Sequence, residues 1–397
     1  MEIPRKMLDQ LTTELNAFSA AGRQMVLNAL ASAEWSDVSE LRAIAVEVME
    51  MVCCEMTDLA SARSAEFYDE LRTAAVGKRF GAFAESMREP KATEGAVKAL
   101  IESVKKPGAT DRFTRELTDR VDYEIKKSAG DCIGFNSARD PLKPRYARVP
   151  AGAETCSFCL LIASFGFVYG SSGHYHADCD CRIVPEFGGM GVSGYDPDGM
   201  YARNKKCLET LGGREGIRAD WEALPKEKRE AYIARHGGKQ GQAFDAYVNK
   251  RLSAEIGTRD PKWFIDGARC EIAKEQGAKP LPKETSAANV LADNGFGVRF
   301  IKEVNKTGIK TADARLNGSP WEFKIPEKWN EKTVKNQMKR ALGKGTDRLL
   351  LSGSLNGASL DDMETGIRRI FSNGEFAEIR QVLIVDHGGS MRRVVRA

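Results

Sequence analysis

Apolar residues recur at helical spacing from the start of the chain. Leu8, Leu11, Leu15 and Phe18 fall on one face, and Ala, Glu, Leu, Met and Arg dominate as far as Leu100. Lys105-Lys106-Pro107-Gly108 breaks the pattern and Asp111–Lys127 resumes it, so residues 1–127 read as a mainly α region for packing or docking. Between Ser128 and Phe187, Gly, Pro, Ser and Cys take over, which suits a small irregular module without a large apolar core. The Gly-rich stretch Pro185–Gly199 marks its exit. Tyr201–Leu252 reads as helical again with an interruption at His236–Gly241, and Ile256–Lys283, containing Pro261, Pro280 and Pro282, reads as a linker.

The C-terminal segment has the clearest order. A helix over Lys283–Asp293 closes at Asn294-Gly295, and a strand follows over Gly297–Val304. Strands at Thr311–Leu316 and Trp321–Ile325 flank Asn317-Gly318. A helix (Lys332–Leu342), a strand (Arg348–Ser352), a helix (Leu360–Phe371) and a hairpin (Arg380–Asp386, Met391–Val395) complete an α/β arrangement. The expected organisation is multidomain: a helical region (1–127), a Cys/His module (128–200), a helical connector and linker (201–279) and a C-terminal α/β domain (280–397).

Composition narrows the function classes. The 397 residues are 42% hydrophobic and 29% charged, which excludes a disordered or collagen-like chain. No run approaches the ~18 apolar residues of a membrane span, and the N-terminus does not read as a secretory signal. The net charge of +4 is concentrated at one end, because residues 280–397 carry 20 Lys+Arg against 14 Asp+Glu. That asymmetry hints at a polyanionic partner, against the plain alternative of a solubility margin. Of nine cysteines, Cys53, Cys54, Cys132, Cys207 and Cys270 are scattered and read as small buried hydrophobes in a reducing compartment.

The other four cysteines cluster. Cys156-x-x-Cys159 is followed by Cys179-Asp180-Cys181, with His174 and His176 just before. Two close pairs of soft or imidazole donors match what a tetrahedral structural zinc needs. Six candidates compete for four places; the expected set is Cys156, Cys159, His176 and Cys181, with Cys179 next. The alternative is a reduced thiol cluster or a disulfide-stabilised loop.

The run Arg148-Val149-Pro150, Thr155–Cys159, Ala163–Tyr169, His176–Arg182 and Val184-Pro185 resembles phage Mu F-type minor head proteins. The likeness is dense over about Tyr146–Pro185 and weaker over the helical N-terminus, which in that family would contact the portal or capsid interior. The resemblance implies a role in head morphogenesis, with portal and capsid proteins as partners and the virion as location.

The hairpin around Asn317-Gly318 carries the second candidate chemistry. With these as the central residues of a type I′ turn, Leu316 pairs with Ser319, which sets Asp313 opposite Glu322 and Thr311 opposite Lys324. Alternation puts Glu322 and Lys324 on one face, and Trp321, Phe323 and Ile325 on the other. Opposed carboxylates repel, and a divalent cation such as Mg²⁺ between Asp313 and Glu322 resolves the repulsion, with Lys324 beside the reacting phosphate. The alternative is a surface charge ladder. Glu284 is expected to supply a third carboxylate or to compensate its helix dipole. Gln337 lies in the stripe Val334, Gln337, Met338, Ala341, and is assigned to positioning the Lys324 strand or a phosphate, or to a plain buried hydrogen bond. The stripe Lys328, Lys332, Lys335, Lys339, with Arg340, either tracks a phosphate backbone or is a solvated face. A metal-free ribonuclease route would need a base such as His387, the one histidine after residue 280.

The order of these elements, with Thr311-Ala312-Asp313 and Glu322-Phe323-Lys324, resembles the PD-(D/E)xK nuclease fold, although Ala312 stands where that family has Pro. Trp321–Pro326, Thr333–Gln337, Arg340-Ala341 and Val382–Asp386 resemble the C-terminal toxin domain of contact-dependent growth inhibition proteins. That likeness covers about Lys283–Val395. It implies nuclease activity on RNA, tRNA above all, in a bacterial cytoplasm, and self-harm then calls for a cognate immunity protein. The expectation is a phage head module fused to a nuclease toxin. The rival is a structural minor capsid protein whose basic C-terminus binds packaged DNA without cutting it.

Overall fold

The computed structural model describes residues 2–86, 90–101, 104, 109–152, 154–168, 175–304 and 311–396. The expected break at Lys105–Gly108 and the candidate ligand His174 lie outside these residues. The chain divides into two units, Met1–Pro197 and Asp198–Ala397.

The first unit opens with a short strand β1 (Glu2–Ile3) and helices α1 (Arg5–Ala31), α2 (Val38–Val76), α3 (Pro90–Ile101) and α4 (Ala109–Arg139). Leu8, Leu11 and Leu15 are buried, as their spacing predicts. The Asp37 carboxylate caps α2 by accepting from the Ser39 and Glu40 amides, and Gly77 at φ 72° ends it. Helices α1 and α4 meet closely at Gly22, where a Cβ would come within 2.8 Å of Val121 Cγ1. The boundary expected at residue 128 is corrected, because α4 runs on to Arg139. The small residues read as loop-forming serve helix contacts instead. Ser128 hydrogen-bonds Ser61 at 2.6 Å. Gly130 leaves room for the Tyr175 ring, whose hydroxyl a Cβ would meet at 2.3 Å.

After α4 come β2 (Arg145–Pro150), α5 (Ser157–Ala163), β3 (Cys181–Glu186) and β4 (Gly191–Val192). Strands β2 and β3 pair antiparallel from Arg145↔Glu186 to Pro150↔Cys181, and β1 pairs with β4.

The second unit begins with α6 (Pro197–Thr210), α7 (Gly213–Glu222), α8 (Lys226–Arg235), α9 (Gln240–Ile256) and α10 (Pro261–Asp266). Then follow β5 (Ile272–Lys274), α11 (Pro282–Asp293), β6 (Val298–Phe300), β7 (Ala314–Leu316), β8 (Ser319–Lys324), α12 (Glu331–Gly343), β9 (Arg348–Ser352), α13 (Leu360–Ser372), β10 (Gln381–Val385) and β11 (Met391–Val395). Among the described residues the strands form one sheet in the order β11-β10-β9-β8-β7-β6-β5. The expected linker is corrected: within 256–283, α10 forms and β5 pairs parallel to β6 as the sheet's edge. Prolines there set the start of helices, Pro261 in α10 and Pro282 in α11, where a missing N–H costs nothing.

The sheet separates two apolar layers. Ala287, Ala288 and Leu291 of α11 pack with Trp321, Phe323, Leu350 and Leu383 on one face. Val334, Met338 and Ala341 of α12 and Met363, Ile367 and Ile370 of α13 pack with Leu349, Leu351, Val382 and Ile384 on the other. Glu322 and Lys324 pair with Leu349 and Leu351, so they share the α12 face.

Candidate functional site

The hairpin forms in the expected register. Leu316 pairs with Ser319 and Ala314 with Trp321, and Asn317 and Gly318 both take positive φ, at 43° and 86°. Just before β7, Asp313 is half-buried, and its Oδ2 accepts from the Phe323 N–H at 2.9 Å. Glu322 is fully buried. Lys324 Nζ bridges the two carboxylates, donating to Glu322 Oε1 and, at 3.4 Å, to Asp313 Oδ2.

A residue that the sequence pattern did not single out joins them. Lys344, at the C-cap of α12, donates to Asp313 Oδ1 at 2.8 Å and pairs with Glu322 Oε1 at 3.2 Å. The local signal for it was slight: a lysine between Gly343 and Gly345 where a helix ends and a cation suits the dipole.

Burial pushes the Glu322 carboxyl upward and the neighbouring Asp313 charge adds to this, with Lys324 and Lys344 offsetting only part. Burial works the same way on Asp313, but the Lys344 hydrogen bond, the Lys324 charge and the Phe323 N–H outweigh it and hold Asp313 below the ordinary carboxylate value. Two adjacent carboxyls are thus driven in opposite directions, a pattern that separates proton-holding from proton-accepting roles. Glu322 Oε2 is buried and accepts no hydrogen bond among the described residues, at a cost of about 1–3 kcal/mol for an orphaned polar atom.

These groups line two adjoining cavities of about 500 and 460 Å³ that share Leu281, Glu284, Lys324 and Lys344. Glu322, Gln337 and Arg340 line the first, and Asp313 and Thr311 the second. Glu284 therefore reaches the cleft wall while its Oε2 accepts the Leu281 amide at 2.8 Å at the start of α11, the helix-end role expected of it. Gln337 is half-buried, and its Oε1 has no donor among the described residues. Lys335 is placed elsewhere, bonded to Glu331 at 2.8 Å and Glu375 at 2.7 Å. Lys339 is exposed and lines neither cavity, and His387 sits exposed in the turn between β10 and β11. The structure thus brings Glu284, Asp313, Glu322, Lys324, Gln337 and Arg340 together and leaves Lys335, Lys339 and His387 apart.

The donors fit a divalent cation. Asp313 and Glu322 offer hard carboxylate oxygens, and Glu322 Oε2 is a buried acceptor lacking a donor.

In the first unit, Cys156 caps α5, Cys159 lies in its first turn, and Cys179 and His176 approach from the segment before β3. The donor atoms of Cys156, Cys159, His176 and Cys179 all lie within 4.8 Å of one another, so these four can hold a metal ion. His176 Nδ1 is 3.6 Å from Cys156 Sγ and 3.5 Å from Cys159 Sγ, against about 3.5 Å between sulfur and nitrogen ligands on a tetrahedral zinc. This group differs from the first-choice set at one place, with Cys179, the next expected ligand, in the position of Cys181, whose Sγ lies 3.3 Å from Cys159 Sγ and 3.4 Å from Cys179 Sγ. Cys181 opens β3 opposite Pro150, where its Sγ receives the Arg148 guanidinium at 3.0 Å.

The VG15 protein family model matches residues 2–207, more than half of the chain. The chain belongs to the VG15 family. This phage head-like match extends well beyond the dense resemblance at Tyr146–Pro185, across the helices of the first unit and into α6. A second model, the contact-dependent growth inhibition CdiA C-terminal domain, matches residues 310–391, which hold the hairpin, α12, β9, α13 and β10. Among solved structures, the CdiA-CT/CdiI toxin and immunity complex from Burkholderia pseudomallei is similar at 16% identity, over 31% of this chain and 98% of that one, with a TM-score of 0.26. No curated protein matches. The VG15 chain thus joins a phage head-like part to a toxin-type C-terminal part.

Proposed function

We propose that this VG15-family chain is a phage minor head protein carrying a nuclease toxin that cleaves phosphodiester bonds in RNA, most readily tRNA. The observation that carries the reading is the meeting of Asp313, Glu322 and Lys324 in one cleft, with a buried Glu322 oxygen left without a partner. Burying carboxylates costs stability unless they are paired, and a pair of perturbed carboxyls held by two lysines in a cleft is the kind of group that functional sites assemble. The arrangement is PD-(D/E)xK-like. Asp313 and Glu322 would hold Mg²⁺, which supplies charge neutralisation at the phosphate when bound. Lys324 holds both carboxylates in position and presents its ammonium to the cleft. Arg340 and Gln337 meet the nucleic acid at the wall, and Glu284 fixes the start of α11 beside it.

In the first unit, Cys156, Cys159, His176 and Cys179 would hold a structural Zn²⁺. Portal or capsid proteins are the partners of that unit, and a cognate immunity protein is the partner of the toxin. A toxin carried in the virion would reach a new cell with the DNA; its absence from purified virions would sink that route.

The test is incubation of the full chain with total tRNA, ribosomal RNA and plasmid DNA, with and without Mg²⁺, beside Glu322→Ala. Discrete tRNA cleavage that falls at least about hundredfold in the variant supports the reading, the size expected when a group acting on the proton or metal is removed. Retention of nucleic acid without cleavage overturns it in favour of a capsid protein that only binds.

A further inference from the structure

We propose that Lys344 is a further catalytic residue, a cation that guards the carboxylates until substrate arrives and then moves to the scissile phosphate. The inference rests on the phosphodiesterase reading and deepens it. Four charged groups meet: two carboxylates, Asp313 and Glu322, and two ammoniums, Lys324 and Lys344. Their charges cancel. A divalent cation added to that set leaves an excess of two positive charges in a partly buried site, which is costly unless an ammonium withdraws or an anion enters.

The geometry says which ammonium can leave. Lys324 projects from the middle of the sheet, its side chain is 18% exposed, and it also donates to the Phe323 carbonyl at 3.0 Å. Lys344 stands on the C-cap of α12 next to Gly345, which takes a positive φ of 75°, and its side chain is 30% exposed. At Glu322 it shares Oε1 with Lys324, so its departure leaves that oxygen with a donor. Its separate bond is to Asp313 Oδ1, and Asp313 keeps the Phe323 N–H on its other oxygen. Lys344 also faces both cavities. A short swing of a flexible stem therefore takes the ammonium from the carboxylates into the cleft without leaving either carboxylate bare.

Two consequences follow. Without nucleic acid, Lys344 and a divalent cation compete for the same oxygens, so each weakens the other by the same factor. With a phosphate in the cleft, the displaced ammonium has an anion to meet, where it stabilises the charge that builds on the phosphate oxygens. No covalent step is assigned to Lys344; it keeps its proton throughout.

The test uses the full chain with Lys344→Met, which keeps an unbranched stem, and Lys344→Arg, which keeps the charge. Mg²⁺ alone is titrated calorimetrically without nucleic acid; as an oxygen-seeking ion it leaves the sulfur-rich cluster aside. Lys344→Met is expected to bind Mg²⁺ about tenfold more tightly than the unsubstituted chain, within the usual range for coupled sites. At saturating Mg²⁺, kcat on tRNA is expected to fall by about 10²–10³ in Lys344→Met with KM little changed, and to recover in part in Lys344→Arg. Unchanged or weaker Mg²⁺ binding overturns the guarding role. A kcat within about twofold of the unsubstituted chain overturns the catalytic role and leaves Lys344 as a structural counter-ion. If the unsubstituted chain cleaves nothing, the phosphodiesterase reading fails and the catalytic role with it, while the Mg²⁺ titration still decides the competition.

Discussion

At the scale of single residues, one- or two-position differences decide the chemistry. Cys179 and Cys181 have the same composition context, yet it is Cys179 whose sulfur lies within 4.8 Å of the donors of Cys156, Cys159 and His176 alike. Cys181 begins a strand, and its sulfur touches Cys159 and Cys179 at 3.3 and 3.4 Å while also accepting from the buried Arg148 guanidinium at 3.0 Å. Cys179→Ser is therefore expected to lower bound zinc from one equivalent to a small fraction, whereas Cys181→Ser keeps most of it. Metal content of the purified variants checks this, and equal loss in both would return Cys181 to the ligand set. The trio Asp313, Glu322 and Lys324 was legible because a two-residue turn fixes register over the few residues on either side. Lys344 was not, because its approach depends on a helix crossing between β8 and β9, and no local period encodes that crossing. Lys335 shows the converse: a clean stripe of spacing along α12 says which residues share a face, but not whether an acidic neighbour such as Glu375, beyond α13, has already taken one of them.

At the scale of elements, α9 is tied to β11 by a buried ion pair that the sequence pattern did not show. Glu255 is almost wholly buried and receives Arg393 Nε at 2.6 Å and Arg259 Nη1 at 2.7 Å, from partners 138 and 4 residues away. Both arginines also lie over the Phe296 ring, at 5.9 and 4.0 Å. Burial works to raise the Glu255 carboxyl, but Arg393 and Arg259 outweigh it and hold it below the usual value. The folded state therefore binds this proton less readily than the unfolded one. The contribution is present above the unfolded carboxyl value and is lost as pH falls through the lowered folded value. Glu255→Gln is expected to cost about 3–5 kcal/mol at pH 7, since it strands two buried cations. The gap to the unsubstituted chain should narrow on acidification toward pH 3. Urea unfolding across that range measures it, and a gap independent of pH would remove the charge from the explanation. Most C-terminal elements were legible to within a few residues, because amphipathic helices and alternating strands carry their own period. The helical α4 beyond residue 127 was not, since Ser128 and Gly130 look like loop residues until their partners Ser61 and Tyr175 are in place.

At the scale of the whole molecule, the segment between the two family matches determines what the toxin part is. Residues 201–279 read as connector and linker, because helices with mostly polar faces and scattered prolines carry little periodic signal of a core. The structure gives them to the second unit: α9 supplies Glu255, and β5 forms the sheet edge beside β6. A chain starting at residue 280 lacks both. It leaves Arg393 without its carboxylate and opens the backbone of Val298–Phe300 to solvent, in a domain whose total stability is about 5–15 kcal/mol. Residues 198–397 expressed alone are therefore expected to unfold in one cooperative urea transition, whereas 280–397 should unfold earlier and less steeply, by at least about 3 kcal/mol. Stabilities equal to within about 1 kcal/mol would show that the helices are an appendage and that the toxin core ends at the start of α11. The outcome also decides how a cleavage assay on fragments is to be read, because an inactive 280–397 would report a missing ion pair and edge strand before it reported anything about Glu322.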